Sequence, residues 1–417
     1  MKYAMNSVNE RAKKILVISL FILSVFGIGF ALYYTFFRAA PTEIAPTVSP
    51  EIPSKTGGVP LPSAVAGGER GAIPTPTAPT LPTVSQVARG GATATTALTT
   101  SAVSNPAIGS DGISVNYYDA NDGRFYRIDK EGNAVRISDQ SFPNVENVSW
   151  NNASDKAVLE FPDGANIVYD FQAQKQTTLP AHWEDFEFSP VQDQILAKSI
   201  GLDPNNRWLV ITNADGSNAK TIQALGDNAD KVTVSWSPND QVIAFSDTAD
   251  ALDGGPDRKM ILPIGKNDEN MKGLIVEGYG FTPAWSDDGK KLLYSASGDY
   301  SNLKPLLWIA DATPSTMGQN RRSLGLNTWA DKCAFSDSFT AYCAVPTSLP
   351  PNAGLQRSLF KDTPDNLYKV DIATGTVSLL AIPENDRVME EPAISSDGST
   401  FYYKNGQTGQ LEFVRLK

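Results

Sequence analysis

From about residue 105 to the end of the chain, apolar and polar positions alternate with period two in short runs. Ser, Asp, Asn, Gly and Pro break these runs, which is the pattern of half-buried β-strands joined by tight turns. The stretch "PAWSDDGKKLLYS", residues 283–295, shows the unit. A short apolar strand ends in a large side chain at Trp285, a Ser-Asp-Asp-Gly turn follows, and "KKLLYS" forms a second strand. Asp and Ser bond the local backbone in such a turn, and Gly takes its positive-φ position. The unit recurs as "VSWSPNDQVIAFS" at Trp236, "FEFSPVQDQILAKS" at Phe188, "VSWNNASDKAVLEF" at Trp150 and "CAFSDSFTAYCAV" at Phe335. The outermost copies, "PAIGSDG" at Ile108 and "PAISSDG" at Ile394, are the most alike.

Seven anchors result, separated by 42, 38, 48, 49, 50 and 59 residues. Each hairpin is followed by a third strand such as "WLVITNADGS" and usually a short fourth such as "KTIQ". Four strands in each period of this length form the blade of a propeller, which protects sheet edges by radial repetition. A β-sandwich has no need of one anchor seven times. The expected fold is therefore all-β, a seven-bladed β-propeller of four-stranded blades over residues 93–417.

The Trp-Ser-Pro/Asp-Asp-Gly-Lys pattern resembles the WD40-like (PD40) repeat of the C-terminal propeller of TolB and of the propellers of prolyl-oligopeptidase-type peptidases. The resemblance covers roughly residues 105–417 and implies the fold. The copies at Trp150, Phe188 and Phe335 lack the turn Gly, and no TolB-type α/β domain or hydrolase domain accompanies the repeats. TolB's partners are therefore not carried over.

Ahead of the repeats the pattern changes twice. "ILVISLFILSVFGIGFALYYTFF", residues 15–37, is 23 residues without a charge, about 35 Å as a helix and long enough to cross a bilayer. It exceeds the apolar core of a cleaved signal peptide. Lys2, Arg11, Lys13 and Lys14 precede it, so the positive-inside rule makes residues 1–14 a cytoplasmic tail and 15–37 an uncleaved signal anchor. Residues 38–92, rich in Pro, Thr and Ala, read as a disordered linker, because such a tract cannot bury enough apolar surface to offset its ordering. The same composition runs on to about residue 104, and roughly 60 such residues would reach nearly 190 Å as extended polyproline and on the order of 45 Å as a coil.

The formal net charge of −11 divides unevenly: residues 1–110 sum to +4, which leaves −15 on the propeller. That argues against nucleic acid and against anionic lipid as partners, since both need a basic surface. The single histidine, His182, has no G-x-S-x-G nucleophile to serve. Two cysteines and one histidine cannot supply a spaced zinc set, and neither "GIGF" nor "GYGF" is a nucleotide fingerprint. No cofactor is expected. The Asp-rich turns at residues 119–123 and 253–257 carry ligands of the type calcium takes, but their spacing is not that of an EF-hand and turn formation explains them. Carboxylates from different blades can still meet in a propeller's funnel, which keeps a hydrolase or lyase open as the alternative function.

Three expectations concern the loops and ends. Loop expansion falls on the face formed by the connections between second and third strands, above all in "PTSLPPNAGLQRSLFKDTPD", residues 346–365. Leu355, Arg357, Leu359, Phe360 and Lys361 make that loop the expected contact surface, aided by residues 247–258, with Arg357 and Phe360 as anchors. Cys333 and Cys343 lie equidistant from Ser338 in a hairpin, so they face one another and can form a disulfide. The chain ends before the last blade has a fourth strand, and "TATTALTTSAV", residues 93–103, is expected to supply it by pairing with 410–416. The function expected is that of a single-pass, membrane-anchored envelope protein, its propeller periplasmic or extracellular, binding another envelope protein or a glycan.

Overall fold

The computed structural model describes residues 84–255, 257–267 and 269–417, together with 23, 24 and 26–28. By internal packing the chain divides into Met1–Pro76 and Thr77–Lys417. The expected membrane span and the linker up to residue 83 lie outside the described residues, except for Leu23, Ser24, Phe26, Gly27 and Ile28, which are helical. Among the described residues no helix is long and apolar enough to cross a membrane.

Seven sheets follow one another in order, each built of four antiparallel strands. Blade 1 comprises Val103–Ile108, Val115–Asp119, Arg124–Ile128 and Ala134–Arg136; blade 2 runs from Asn147–Trp150 to Lys175–Leu179, blade 3 from Trp183–Phe188 to Lys220–Ala224. Blade 4 runs from Val232–Val234 to Leu274–Glu277, blade 5 from Tyr279–Trp285 to Arg322–Ser323, blade 6 from Cys333–Asp337 to Val377–Pro383. Blade 7 has Met389–Ile394, Thr400–Asn405 and Leu411–Arg415, with Thr96–Ala97 as its outer strand.

The core is divided as the blades are. Seven buried apolar clusters each lie between two adjacent blades; Phe125 of blade 1, for example, packs with Val148 and Tyr169 of blade 2. Six of the seven anchors stand in the first strand of their blade, and Trp236 lies just past it. Their repetition has a cause beyond volume. The Trp150 indole donates to the Asn105 carbonyl of blade 1 (2.8 Å), and the Trp285 indole to Ser235 Oγ of blade 4 (2.8 Å). The turns also bond across blades, Asn239 Nδ2 to the Gly289 carbonyl and Ser154 Oγ to the Ile108 carbonyl. The left-handed turn position is held by Gly112, Gly289 and Gly398, whereas Ser154 and Asp240 hold it in blades 2 and 4. Polar side chains that bond locally tolerate that conformation, so the missing glycines do not interrupt the repeat.

Closure of the ring involves more of the N-terminal segment than the sequence suggested. Thr96 pairs with Phe413 and Ala97 with Glu412, as an antiparallel outer strand. The boundary expected between residues 92 and 93 moves back. Gly91–Thr93 runs parallel to Ala381–Pro383 as a fifth strand on blade 6, and Ala88, 5 % exposed, packs between blades 6 and 7. Parallel pairing of three residues leaves no alternation to read, and the small side chains of "ARGGAT" resemble the linker before them. Cys333 and Cys343 are direct partners across the inner strands of blade 6 and are bonded to one another, both buried. The intervening turn is tighter than expected: Asp337 already pairs with Thr340.

Candidate functional site

The innermost strand of each blade has one free edge, whose N–H groups would be unpaired unless side chains reach them. Carboxylates do so between three pairs of blades. Glu187 Oε2 of blade 3 accepts from the Trp236 N–H of blade 4 (2.8 Å), Glu391 Oε2 of blade 7 from the Asn105 N–H of blade 1 (2.6 Å), and Asp365 Oδ2 of blade 6 from the Met389 N–H of blade 7 (2.8 Å).

The positioning comes from a repeated irregularity. The first strands of blades 1, 3, 5 and 7 each carry a bulge, with Asn105, Asp185, Gly280 and Glu391 at positive φ. An extra residue re-aims the side chains beside it. At Asp185 and Glu391 the re-aimed acid meets a lysine from the second strand of its own blade. Lys198 Nζ lies 2.6 Å from Asp185 and Lys404 Nζ 2.6 Å from Glu391.

Beside the blade 3 bulge lies a cavity of about 420 Å³, with Asn147, Asp185, Glu187, Lys198, Asp230 and Thr233 in its wall. Burial pushes the Glu187 carboxyl up to about 7, and the Trp236 N–H offsets only part of that. Glu160 is also raised, first by burial and then by repulsion from Asp185, Glu184 and Glu146, against a hydrogen bond from Asn147 Nδ2 (2.6 Å). The region is acidic, and Lys198 is committed to Asp185. A carboxylate titrating near neutrality can exchange a proton, but Glu187 already bridges two blades. Among the described residues no three His, Cys, Asp or Glu side chains converge as metal ligands. His182 is exposed, in the connection ahead of the blade 3 first strand.

The long loop of blade 6 is a built platform. Its main chain is bonded to the blade 5 loop, Asn352 N–H to the Asn302 carbonyl (2.9 Å) and Gly354 N–H to the Leu303 carbonyl (2.9 Å). Gly354 admits no side chain, because a Cβ there would stand 1.8 Å from Ser297 Oγ. Of the five loop residues singled out from sequence, two are tied to the protein's own side chains, Arg357 at the surface and Phe360 partly buried. Arg357 grips Asp331 with both terminal nitrogens (3.0 and 2.8 Å) and lies 4.9 Å over the Trp329 ring, while Phe360 packs against Trp329, Leu349 and Ala353. Leu355 and Leu359 stay exposed at 49 % and 69 %, and Lys361 is exposed. Tyr300 of the blade 5 loop and Tyr279, where the blade 5 first strand begins, are exposed as well. In residues 247–258, Asp247 pairs with Lys259 (3.0 Å), and the Asp257 carbonyl accepts from the Gly278 N–H (2.8 Å) beside Tyr279.

Sequence reasoning missed Tyr279, Tyr300 and the bulge acids. A signal for the latter existed: "WEDFEF" and "MEEPAI" each place two acids side by side where an alternating strand should carry one.

No protein-family model and no curated protein matches the chain. Solved structures do match, at low identity. An oligogalacturonate lyase in complex with manganese aligns with a TM-score of 0.54 at 14% identity, covering 78% of this chain and 93% of that one. The oligogalacturonate lyase of Vibrio parahaemolyticus gives 0.53 at 11%, over 78% and 93%. The propeller domain of Cps50 (Swd1) from Myceliophteria thermophila gives 0.52 at 11%, over 77% and 98%. Identities this low speak for architecture alone: the chain carries a WD40-like, seven-bladed β-propeller.

Proposed function

We propose that this chain is a membrane-anchored binding protein whose propeller engages a protein partner through the platform of blades 5 and 6. The observation that carries the reading is the platform itself. Tyr300, Leu355 and Leu359 present apolar surface on loops held by main-chain hydrogen bonds and by the Arg357–Asp331 pair, so little entropy is lost when a partner docks. Aromatic and apolar anchors on a rigid support dominate binding energy at interfaces. Arg357, paired with Asp331 and lying over Trp329, and Phe360, packed on Trp329, fasten the loop to the blade.

Leu355→Asp with Leu359→Asp is expected to abolish crosslinked partner recovery from membranes and to leave the melting temperature within a few degrees of the parent. Arg357→Ala with Phe360→Ala should instead lower the melting temperature. Full partner recovery by the folded double-Asp variant would remove this surface.

Anchoring rests on the uncharged span 15–37 and the cations ahead of it. Protease added outside spheroplasts should digest the propeller, and its protection there would reverse the orientation.

A lyase or hydrolase acting at the cavity beside the blade 3 bulge is the second reading, favoured by the Glu187 carboxyl near 7. Charge opposes an oligogalacturonate as substrate: it is a polyanion, and the region around Glu187 is acidic. Turnover of oligogalacturonate by the purified chain would reinstate it.

A further inference from the structure

A cavity of about 350 Å³ opens between the outer part of blade 4 and the connection that leads to the last strand of blade 5. Its ionisable lining is cationic, Arg258, Lys272 and Arg321, and Gln319 adds a neutral amide. That composition is anomalous on a domain carrying −15. Among the described residues the ion pairs of these cations all go to Glu277, shared between Arg321 (3.1 Å) and Arg258 (3.6 Å).

Arg321 is held in place before any ligand arrives. Its guanidinium lies 5.3 Å over the Trp308 ring and donates to the Ile275 carbonyl (2.5 Å). Arg258 donates to the Asp253 carbonyl (2.6 Å). Both arginines are partly buried, which weakens solvent screening of their charge. Lys272 is exposed and forms no ion pair among the described residues, so its ammonium is free to swing onto a ligand. Two fixed guanidinium groups, one mobile ammonium and one amide suit an oxyanion, which takes charge-assisted hydrogen bonds from several directions. A volume near the lower end of ligand pockets, roughly 300–1,000 Å³, admits a small molecule rather than a bare ion alone.

We infer that this cavity is a binding site for a small polar ligand bearing a carboxylate or phosphate group. It adjoins the blade 5 side of the platform, where Tyr300 donates to the Glu277 carbonyl (2.6 Å) and meets the Trp308 ring edge-on, but it does not depend on the partner reading.

Calorimetric titration of the full-length chain in detergent micelles with inorganic phosphate, glucuronate and glucose tests it. Saturable one-site binding of phosphate or glucuronate is expected, weakening as salt is raised, with none for uncharged glucose. Whichever of the two anions binds more tightly identifies the group recognised. Lys272→Glu should reduce affinity at least tenfold without shifting the melting temperature, and Gln319→Ala should reduce it by less. The Leu355→Asp, Leu359→Asp variant should bind as the parent does. Failure of both anions to saturate in the millimolar range, equal binding of glucose, or an affinity untouched by Lys272→Glu overturns the assignment.

Discussion

Deleting residues 85–98 is expected to lower the melting temperature by on the order of 10 °C and to make the protein prone to aggregate. The segment supplies the outer strand of blade 7 and a fifth strand to blade 6. It also makes main-chain hydrogen bonds to both blades, Ala88 N–H to the Arg415 carbonyl, Gly90 to Leu380 and Leu98 to Leu411, and its Thr93 carbonyl accepts from Glu384. At about 0.5–1.5 kcal/mol each, four such bonds contribute roughly 2–6 kcal/mol. Beneath them Glu412, 1 % exposed, is held by Arg387 (3.2 Å), Tyr403 (2.6 Å) and Asn405 (2.9 Å), and Arg387 in turn donates to Thr95 (3.3 Å). Losing the segment lets water reach that network and leaves the third strand of blade 7 as an unpaired edge. Differential scanning calorimetry with light scattering checks both effects. An unchanged melting temperature would mean that the ring closes through its inner strands alone.

Lys332→Met should cost about 3–5 kcal/mol, because it strands a buried carboxylate. Asp365 is fully buried and its Oδ2 lies 2.7 Å from Lys332 Nζ, while its Oδ1 has no hydrogen-bond partner. Burial already raises the Asp365 carboxyl above the usual range, despite the opposing pull of Lys332 and the Met389 N–H. A folded-state pKa above the unfolded one, about 3.9, means that the native protein holds this proton more tightly. Stability from the group is therefore complete below the unfolded pKa and is lost as pH rises through the folded one. Removing Lys332 raises the folded pKa further, so the deficit should be largest at neutral pH and should shrink on acidification. The double variant with Asp365→Asn should recover most of the loss. Denaturant titrations at about pH 7 and about pH 5 check this, and a deficit identical at both would show that lost packing dominates.

Repetition made the fold legible, because each blade's strands and turns are specified by contiguous residues. The same Trp, Ser and Asp positions that read as a hairpin from sequence form that hairpin. Counting outward from Ser338 put Cys333 opposite Cys343, although the observed two-residue turn reaches that register only through a bulge between Phe335 and Asp337, and the missing fourth strand of blade 7 could be matched to the only β-compatible segment left over. The fifth strand on blade 6 could not, since "GAT" carries no period of its own.

Local sequence thus determined the number of blades, their strand order and the need for a closing strand, all of which depend on alternation and turn chemistry within about 50 residues. Tertiary structure alone decided which side chains are free to act. Arg357 looked like an anchor until Asp331 and Trp329, more than 25 residues earlier, came beneath it. Glu187 looked like one more strand residue until burial beside the Trp236 N–H raised its carboxyl. Arg258, Lys272 and Arg321 are scattered cations in an acidic sequence, and only the packing of blade 4 against blade 5 brings them to one cavity. Charge, exposure and pKa are properties of the space around a residue, and in a propeller that space is bounded by the neighbouring blade, about a full repeat away in sequence.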